Sequence, residues 1–181
     1  MMVYLVDKRA FSAGVPQRAG LSGLRAGPSG FEARWRGVIQ SLPGHGDAHI
    51  VFAETGDTVE SLIQRVIALV RTPWSIFVLR ILAHGSSGYI ELGTGMRHGQ
   101  ARPFFSLAHY MTPAHLRGRG IEIHGCNVAE GWHGTHLLQA IADAAGVPVS
   151  ASSAKQSPDT RFHFEGNVTK VQPRLRRPPA H

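Results

Sequence analysis

Two short runs constrain the fold of this chain more than anything else in it. Ser75 to Ala83 (SIFVLRILA) and Ile121 to His124 (IEIH) are rich in apolar and β-branched residues, the pattern of strands buried on both faces. Each gives way at once to a glycine turn, His84-Gly85 after the first and Gly125-Cys126 after the second. Amphipathic segments alternate with such runs. Thr58 to Arg71 places Val59, Leu62, Ile63, Val66, Ile67 and Val70 at helical spacing behind an Asp57/Glu60 capping box, and Pro73 ends it. Thr135 to Ala145 repeats Leu137, Leu138, Ile141, Ala142 and Ala145, closed by Gly146. Phe31 to Leu42 carries Phe31, Trp35, Val38, Ile39 and Leu42 on one side of a further helix, and Val3–Val6, His49–Ala53 and Val147–Ala151 read as additional strands. Strands alternating with helices predict right-handed crossovers, hence an α/β fold with a mostly parallel central sheet and helices on both faces.

In open sheets of this kind ligands bind outside the carboxyl ends of the strands. His84 and Cys126 each follow the end of a central strand, so if those strands are neighbours both side chains leave the same sheet edge. The other segments are less regular. Lys8 to Gly30, rich in Gly, Ser and Pro, reads as a surface loop. Tyr89 to Leu92 reads as a hairpin strand after Ser86-Ser87-Gly88, and Thr112-Pro113 opens a short helix through Leu116. Phe162–Phe164 and Val168–Val171 read as an edge hairpin, which makes a homodimer or larger protein assembly an expectation, since edge strands pair between subunits.

Composition removes several classes of function. Hydrophobic residues are 43% and charged residues 17% of 181, as in globular chains rather than disordered or fibrous ones, and the length suits one domain. The formal charge of +7 brings nucleic acid or acidic partners into consideration. However, Arg174, Arg176 and Arg177 lie in a Pro-rich tail and Arg18, Arg25, Arg34 and Arg36 lie in or beside the Gly-rich early stretch, which equally suits plain solubility. Trp35, Trp74 and Trp132 do not interleave with a basic stripe, so nucleic-acid binding is confined to the basic ends. There is no P-loop, and Gly93-Thr94-Gly95 lacks the third glycine and following helix of a dinucleotide fingerprint. No apolar run approaches the roughly 20 residues of a membrane span. Met1 to Val6 enters a strand pattern without a basic n-region, so a cytoplasmic location, or export without a signal peptide of the usual kind, is expected.

One cysteine excludes an internal disulfide framework and leaves Cys126 as either a buried spectator or a reactive thiol. A thiol becomes a nucleophile when a nearby base or positive charge raises its thiolate fraction, and a strand-to-helix turn adds backbone N–H groups aimed at an anion. Cys126 has that setting, with His84 as candidate general base and acid and the N–H groups of Gly85 and Cys126 as a candidate oxyanion hole. From spacing alone, a core cysteine and a histidine bonded to backbone fit as well. His84, His124, His133, His136 and Cys126 together suggest zinc, but no spacing repeats a CxxC or HExxH pattern. Neither a metal nor another cofactor is expected.

The string LRILAHGSSGYIELG resembles the histidine motif of caspase-like peptidases, and GIEIHGCNVAEGWHGTHLLQAIADAAGVPVSASS resembles their cysteine motif. With MVYLVD at the start, these segments are similar to the caspase-like domain of unknown function at the amino ends of large bacterial surface proteins, a group related to caspases, gingipains, legumain, separase and the CHAT peptidases. The resemblance covers most of residues 2–155 in order and leaves 8–48 as a variable loop and helix insertion. It implies a single caspase-like domain over 1–172, a three-layer sandwich, followed by the basic tail 173–181. It also implies a cysteine endopeptidase acting on protein or peptide substrates, with His84 as catalytic histidine and Cys126 as nucleophile. Many active relatives carry an acidic residue shortly before the cysteine, where this chain has Ile123-His124-Gly125. In the wider family the primary pocket lies near the ends of the first strand and of the strand after the catalytic helix, which here points to Asp7, Ser150 and Ser152. Asp7 would hold a basic substrate side chain by a charge-assisted hydrogen bond; the alternative is an aspartate capping the turn after the first strand. A non-catalytic caspase-like module that binds within a bacterial complex, effector or surface protein is the competing function.

Overall fold

The chain folds, in a computed structural model that describes residues 1–11, 28–116, 118–156 and 162–174, around one six-stranded sheet. In order along the chain come β1 (Met2–Asp7), a 3-10 turn (Lys8–Phe11), α1 (Pro28–Gln40), β2 (His49–Ala53), α2 (Val59–Val70) and β3 (Val78–Leu82). Then follow β4 (His84–Ser86), β5 (Tyr89–Glu91), three further 3-10 turns (His98–Gln100, Arg102–Leu107 and Ala114–Leu116), β6 (Gly120–His124), α3 (Gly131–Ala145), β7 (Val149–Ser152) and β8 (Val168–Val171). The sheet order is β2-β1-β3-β6-β7-β8; the first five strands are parallel and β8 runs antiparallel to β7. This is the α/β architecture expected from the alternation of patterns.

Strand side chains alternate between faces, and the two faces of this sheet differ in chemistry. Val3, Leu5, Leu79, Ile81, Ile121, Ile123, Val149 and Ala151 meet α2, α3 and the Arg102–Leu107 turn in one apolar core. Tyr4, Val6, Ile50, Phe52 and Leu82 face the other way, under Trp35 and Ile39 of α1. Helices therefore cover both faces. Burying a Leu, Ile or Val side chain is worth about 1.5–3 kcal/mol, so the first core supplies most of what holds the sheet flat against α2 and α3.

The second face also carries charge. Tyr4, Arg80, Glu122 and Ser150 form one row across β1, β3, β6 and β7, because these residues are register partners. Arg80 Nε donates to Glu122 Oε2 at 2.7 Å and Arg80 Nη1 donates to the Tyr4 hydroxyl at 2.8 Å. The Tyr4 hydroxyl in turn lies 2.8 Å from His45 Nδ1. Phe164 stacks on the His124 ring at 4.4 Å, and Phe162 packs over the Arg80 guanidinium.

Local chemistry adjusts several expected boundaries. Thr58, not an Asp57/Glu60 box, caps α2: its backbone is extended and its side-chain Oγ1 accepts the Ser61 N–H at 3.1 Å. Asp57 instead accepts from Glu54 N and pairs with Arg65. The long apolar run pairs as a strand only from Val78, because Ile76 bridges Met111 and the Phe77 N–H is taken by the Met1 carbonyl. Both α1 and α3 start earlier than the apolar periodicity suggests. Of the proposed edge hairpin, β8 forms but Phe162–Phe164 is not a strand; Phe162 is buried in the second core. Most of the Lys8–Gly30 loop, with Arg18 and Arg25, and the tail arginines Arg176 and Arg177 lie outside the described residues, as does the Phe31 side chain. No helix among the described residues is long and apolar enough to cross a membrane.

Candidate active site

The site is built where β3 and β6 end. Leu82 and His124 are register partners, and the last rung is an Ala83 N–H to His124 carbonyl bond of 3.3 Å. His84 and Cys126 each stand two residues beyond that pair. The parallel pairing thus brings both to one level at the carboxyl edge of the sheet, on strands about 4.8 Å apart. After this rung the chains diverge: His84–Ser86 leaves the sheet to pair with β5, while Gly125–Cys126 turns toward α3.

The two turns cross in close contact, which is why both need glycine. A Cβ on Gly125 would lie 2.9 Å from the Ala83 carbonyl oxygen and 3.5 Å from Gly85 N. A Cβ on Gly85 would lie 2.5 Å from Val128 Cγ2 and 3.0 Å from the Cys126 carbonyl oxygen. The backbones can approach this far only without side chains.

Among the described residues, two N–H groups are left without a rung at this crossing. In the β4–β5 hairpin, Ile90 exchanges both its hydrogen bonds with Met96, at 3.1 and 2.9 Å, and so faces away from β4. Its cross-strand partner Gly85 therefore belongs to a non-hydrogen-bonded pair, and the Gly85 N–H turns from β5 toward Gly125. Among the described residues no acceptor takes the Cys126 N–H. The next residue, Asn127, is left-handed at φ 56°, a conformation Asn tolerates, and its N–H is held by the Ala154 carbonyl at 2.9 Å.

The two candidate side chains are held by other loops rather than by each other. His84 is exposed, and its Nε2 lies 3.0 Å from the Arg9 carbonyl oxygen. Cys126 is half-buried against Gln156, whose N–H points at Sγ from 3.3 Å and whose carbonyl oxygen lies 3.6 Å from it.

The three residues expected to line a substrate pocket are engaged inside the protein. Asp7 is 1% exposed, and its carboxylate accepts from Arg9 N, Nε and Nη2 and from the Gly93 N–H, all at 2.8–2.9 Å. In this state it behaves as the turn-capping aspartate. Ser152 is fully buried; its hydroxyl donates to the Glu165 carbonyl and accepts from Ala154 N. Ser150 pairs with Glu122, four residues before Cys126 and so about 13 Å back along the sheet at 3.3 Å per residue.

Nor do the histidines converge on the thiol. His124 turns to the second face and stacks on Phe164, whereas His136 stacks on Trp132 at 4.4 Å and meets His98 at 5.1 Å. No group of three His, Cys, Asp or Glu side chains suited to a metal occurs among the described residues. A groove of about 1000 Å³ between α2, α3 and the Arg102–Leu107 turn contains neither His84 nor Cys126.

The strand that leads to Cys126 carries part of the charged row. Burial by itself would raise the Glu122 carboxyl, but the His124 ring at 3.7 Å, Arg80 and Arg119 pull it down to about 2. Burial holds His124 below its ordinary value despite that carboxylate, so the ring is neutral near pH 7. At 3.7 Å the ring nitrogen lies beyond hydrogen-bond distance of the carboxylate, consistent with a His124 Nε2 that lacks a bonded partner among the described residues.

Arg9, Glu91, Gly93 and Gln156 are the site residues that sequence reasoning missed. All four reach the site through contacts spanning many positions, apart from the Asp7-x-Arg9 spacing, which was legible as a turn.

Residues 38–160 match a protein family described as a domain of unknown function, DUF4347. No curated protein and no solved structure matches the chain. The matched stretch runs from the end of α1 past β7 and includes His84, Gly85, Gly125 and Cys126, while β1, Asp7 and Arg9 precede it. More than half of the sequence lies within the match, and the chain belongs to the DUF4347 family.

Proposed function

We propose that this chain is a caspase-like cysteine peptidase that cuts protein or peptide substrates with a His84–Cys126 dyad. The observation that carries the reading is the placement of both residues two positions beyond one register pair, beside two N–H groups that find no rung among the described residues. A carbonyl oxygen only accepts, so the His84 Nε2 facing Arg9 bears the proton and Nδ1 is the free base. Attack by this dyad requires the Cys126 side chain to rotate away from Gln156 toward that base. Catalytic hydrogen bonds are often long or absent before substrate arrives.

His84 Nδ1 takes the thiol proton as sulfur attacks the scissile carbonyl carbon, and the resulting oxyanion is held by the N–H groups of Gly85 and Cys126. Collapse breaks the C–N bond, and His84 returns the proton to the leaving amine. A water then attacks the thioester with His84 again as base, releasing the acid and the free thiol. No cofactor enters these steps. Cleavage after a basic residue is the version of this reading in which a substrate side chain replaces Arg9 against Asp7.

A second reading has its own observation: the ring and the thiol are each bound to a different loop, as suits a binding module that keeps the fold without chemistry. Alkylation of Cys126 by iodoacetamide, followed against pH in the parent and in His84→Ala, separates the two. The peptidase reading expects fast alkylation that slows in His84→Ala, and peptide cleavage lost in Cys126→Ala. Slow alkylation indifferent to His84, or a Cys126→Ala protein as active as the parent, would sink it.

A further inference from the structure

Exposed histidines on short strands have little packing to orient them, yet the His84 ring is tied to a carbonyl that is itself anchored. That carbonyl belongs to Arg9, whose guanidinium is gripped from two strands. Asp7, at the end of β1, receives Arg9 Nε on Oδ1 at 2.9 Å and Nη2 on Oδ2 at 2.8 Å, the two-pronged geometry that best fixes a guanidinium. The same carboxylate is locked by the Gly93 N–H at 2.8 Å. Arg9 Nη2 also donates to the carbonyls of Glu91 and Gly93, at 3.1 and 2.6 Å, and Nη1 pairs with Glu91 Oε1 at 3.1 Å. Glu91 is the cross-strand partner of His84. The contacts therefore close a ring, from His84 through the β4–β5 rung to Glu91, to the Arg9 side chain, and back through the Arg9 carbonyl to His84 Nε2.

We infer that Asp7, Arg9 and Glu91 form a clamp that positions the His84 imidazole in its Nε2–H tautomer. The catalytic meaning of the clamp rests on the dyad reading; the clamp itself is a statement about His84. Asp7 is buried with its charge met by the Arg9 fork, so a basic substrate side chain would reach it only by displacing Arg9 and releasing the clamp. All three are positioning residues, acting on the base through the Arg9 carbonyl.

Nitrogen NMR of protein labelled at histidine, with His84 assigned by its loss in His84→Gln, reads the tautomer directly. At pH 8 the parent is expected to show one His84 tautomer, with the proton on Nε2. In Arg9→Ala both tautomers should appear, and Cys126 alkylation at pH 7 should fall about tenfold toward the His84→Ala rate. Arg9→Lys, which keeps the charge without the fork, should fall between. Glu91→Gln removes only a partly exposed partner and gives a smaller change of the same sign, which keeps the test open should Asp7→Asn or Arg9→Ala not fold. A parent already mixed between tautomers, or variants that melt earlier with the His84 tautomer unchanged, overturns the clamp and leaves an ordinary loop staple. A tautomer that responds while alkylation never depends on His84 upholds the clamp and defeats the dyad reading instead.

Discussion

Neighbouring residues of β6 show how differently the two faces of one sheet are built. Ile123 enters the apolar core under α2 and α3, and Glu122, one residue earlier, enters the charged row with Arg80 and Tyr4. Both are at least 95% buried. The apolar face gains from every methyl group it removes from water, and several arrangements of similar volume would serve it. The charged face is less generous, because desolvating Arg80 and Glu122 costs about as much as their attraction returns. Its contribution is register. A one-residue slip of β3 or β6 would carry Arg80 or Glu122 onto the apolar face, so the row fixes which residues stand level at the strand ends, and with them His84 and Cys126.

The contrast is sharpest if one partner of the row is removed. Arg80→Met should cost about 3–5 kcal/mol by leaving Glu122 buried with less compensation, measured by urea unfolding at pH 7. The double variant Arg80→Met, Glu122→Leu should recover most of that loss. A double variant as unstable as the single one would mean the row contributes net stability and not only register.

Acid probes the same face without mutation. The Glu122 carboxyl lies near 2 in the fold against an ordinary 4.5, so its stabilisation is complete above the ordinary value and is lost as pH falls toward 2. The loss is about 3 kcal/mol. His124, held neutral by burial, adds an earlier loss as pH drops below about 6.5, where the unfolded ring binds a proton that the folded one resists. Unfolding free energy measured from pH 8 to pH 2 should show both, and the double variant should flatten the lower window. An unchanged acid profile in that variant would place the titration elsewhere.

The smallest effect belongs to the apolar face. Ile123→Val should cost about 1 kcal/mol, with the same value at pH 5 and pH 8, since Ile123 packs within a cluster of buried apolar side chains. A pH-dependent cost would show that the two faces are coupled through β6.

Periodicity made much of this fold legible. The helical repeats of α2 and α3 and the continuous apolar runs of β3 and β6 are local patterns, and a parallel sheet follows from their alternation. The glycine turns after those strands marked His84 and Cys126 as level neighbours if the strands paired, and they do pair. The occupancy of Asp7 was not legible, because the groups that fill it come from Arg9 and from Gly93, the latter 86 positions away. Gln156 likewise gives no sign of contact with a cysteine 30 positions earlier. The Asp57/Glu60 box failed for a smaller reason: Thr58 offered a better-placed cap one residue later.

The α/β class, the two central strands and the side chains available at their ends are written in local residue order, since these depend on residue type and on spacing within a few turns of chain. Which groups hold that chemistry follows from the assembled sheet and its loops. Hydrogen bonding depends on which atoms the fold brings within about 3 Å, and the contacts that orient His84 and shield Cys126 come from loops that only the sheet brings together.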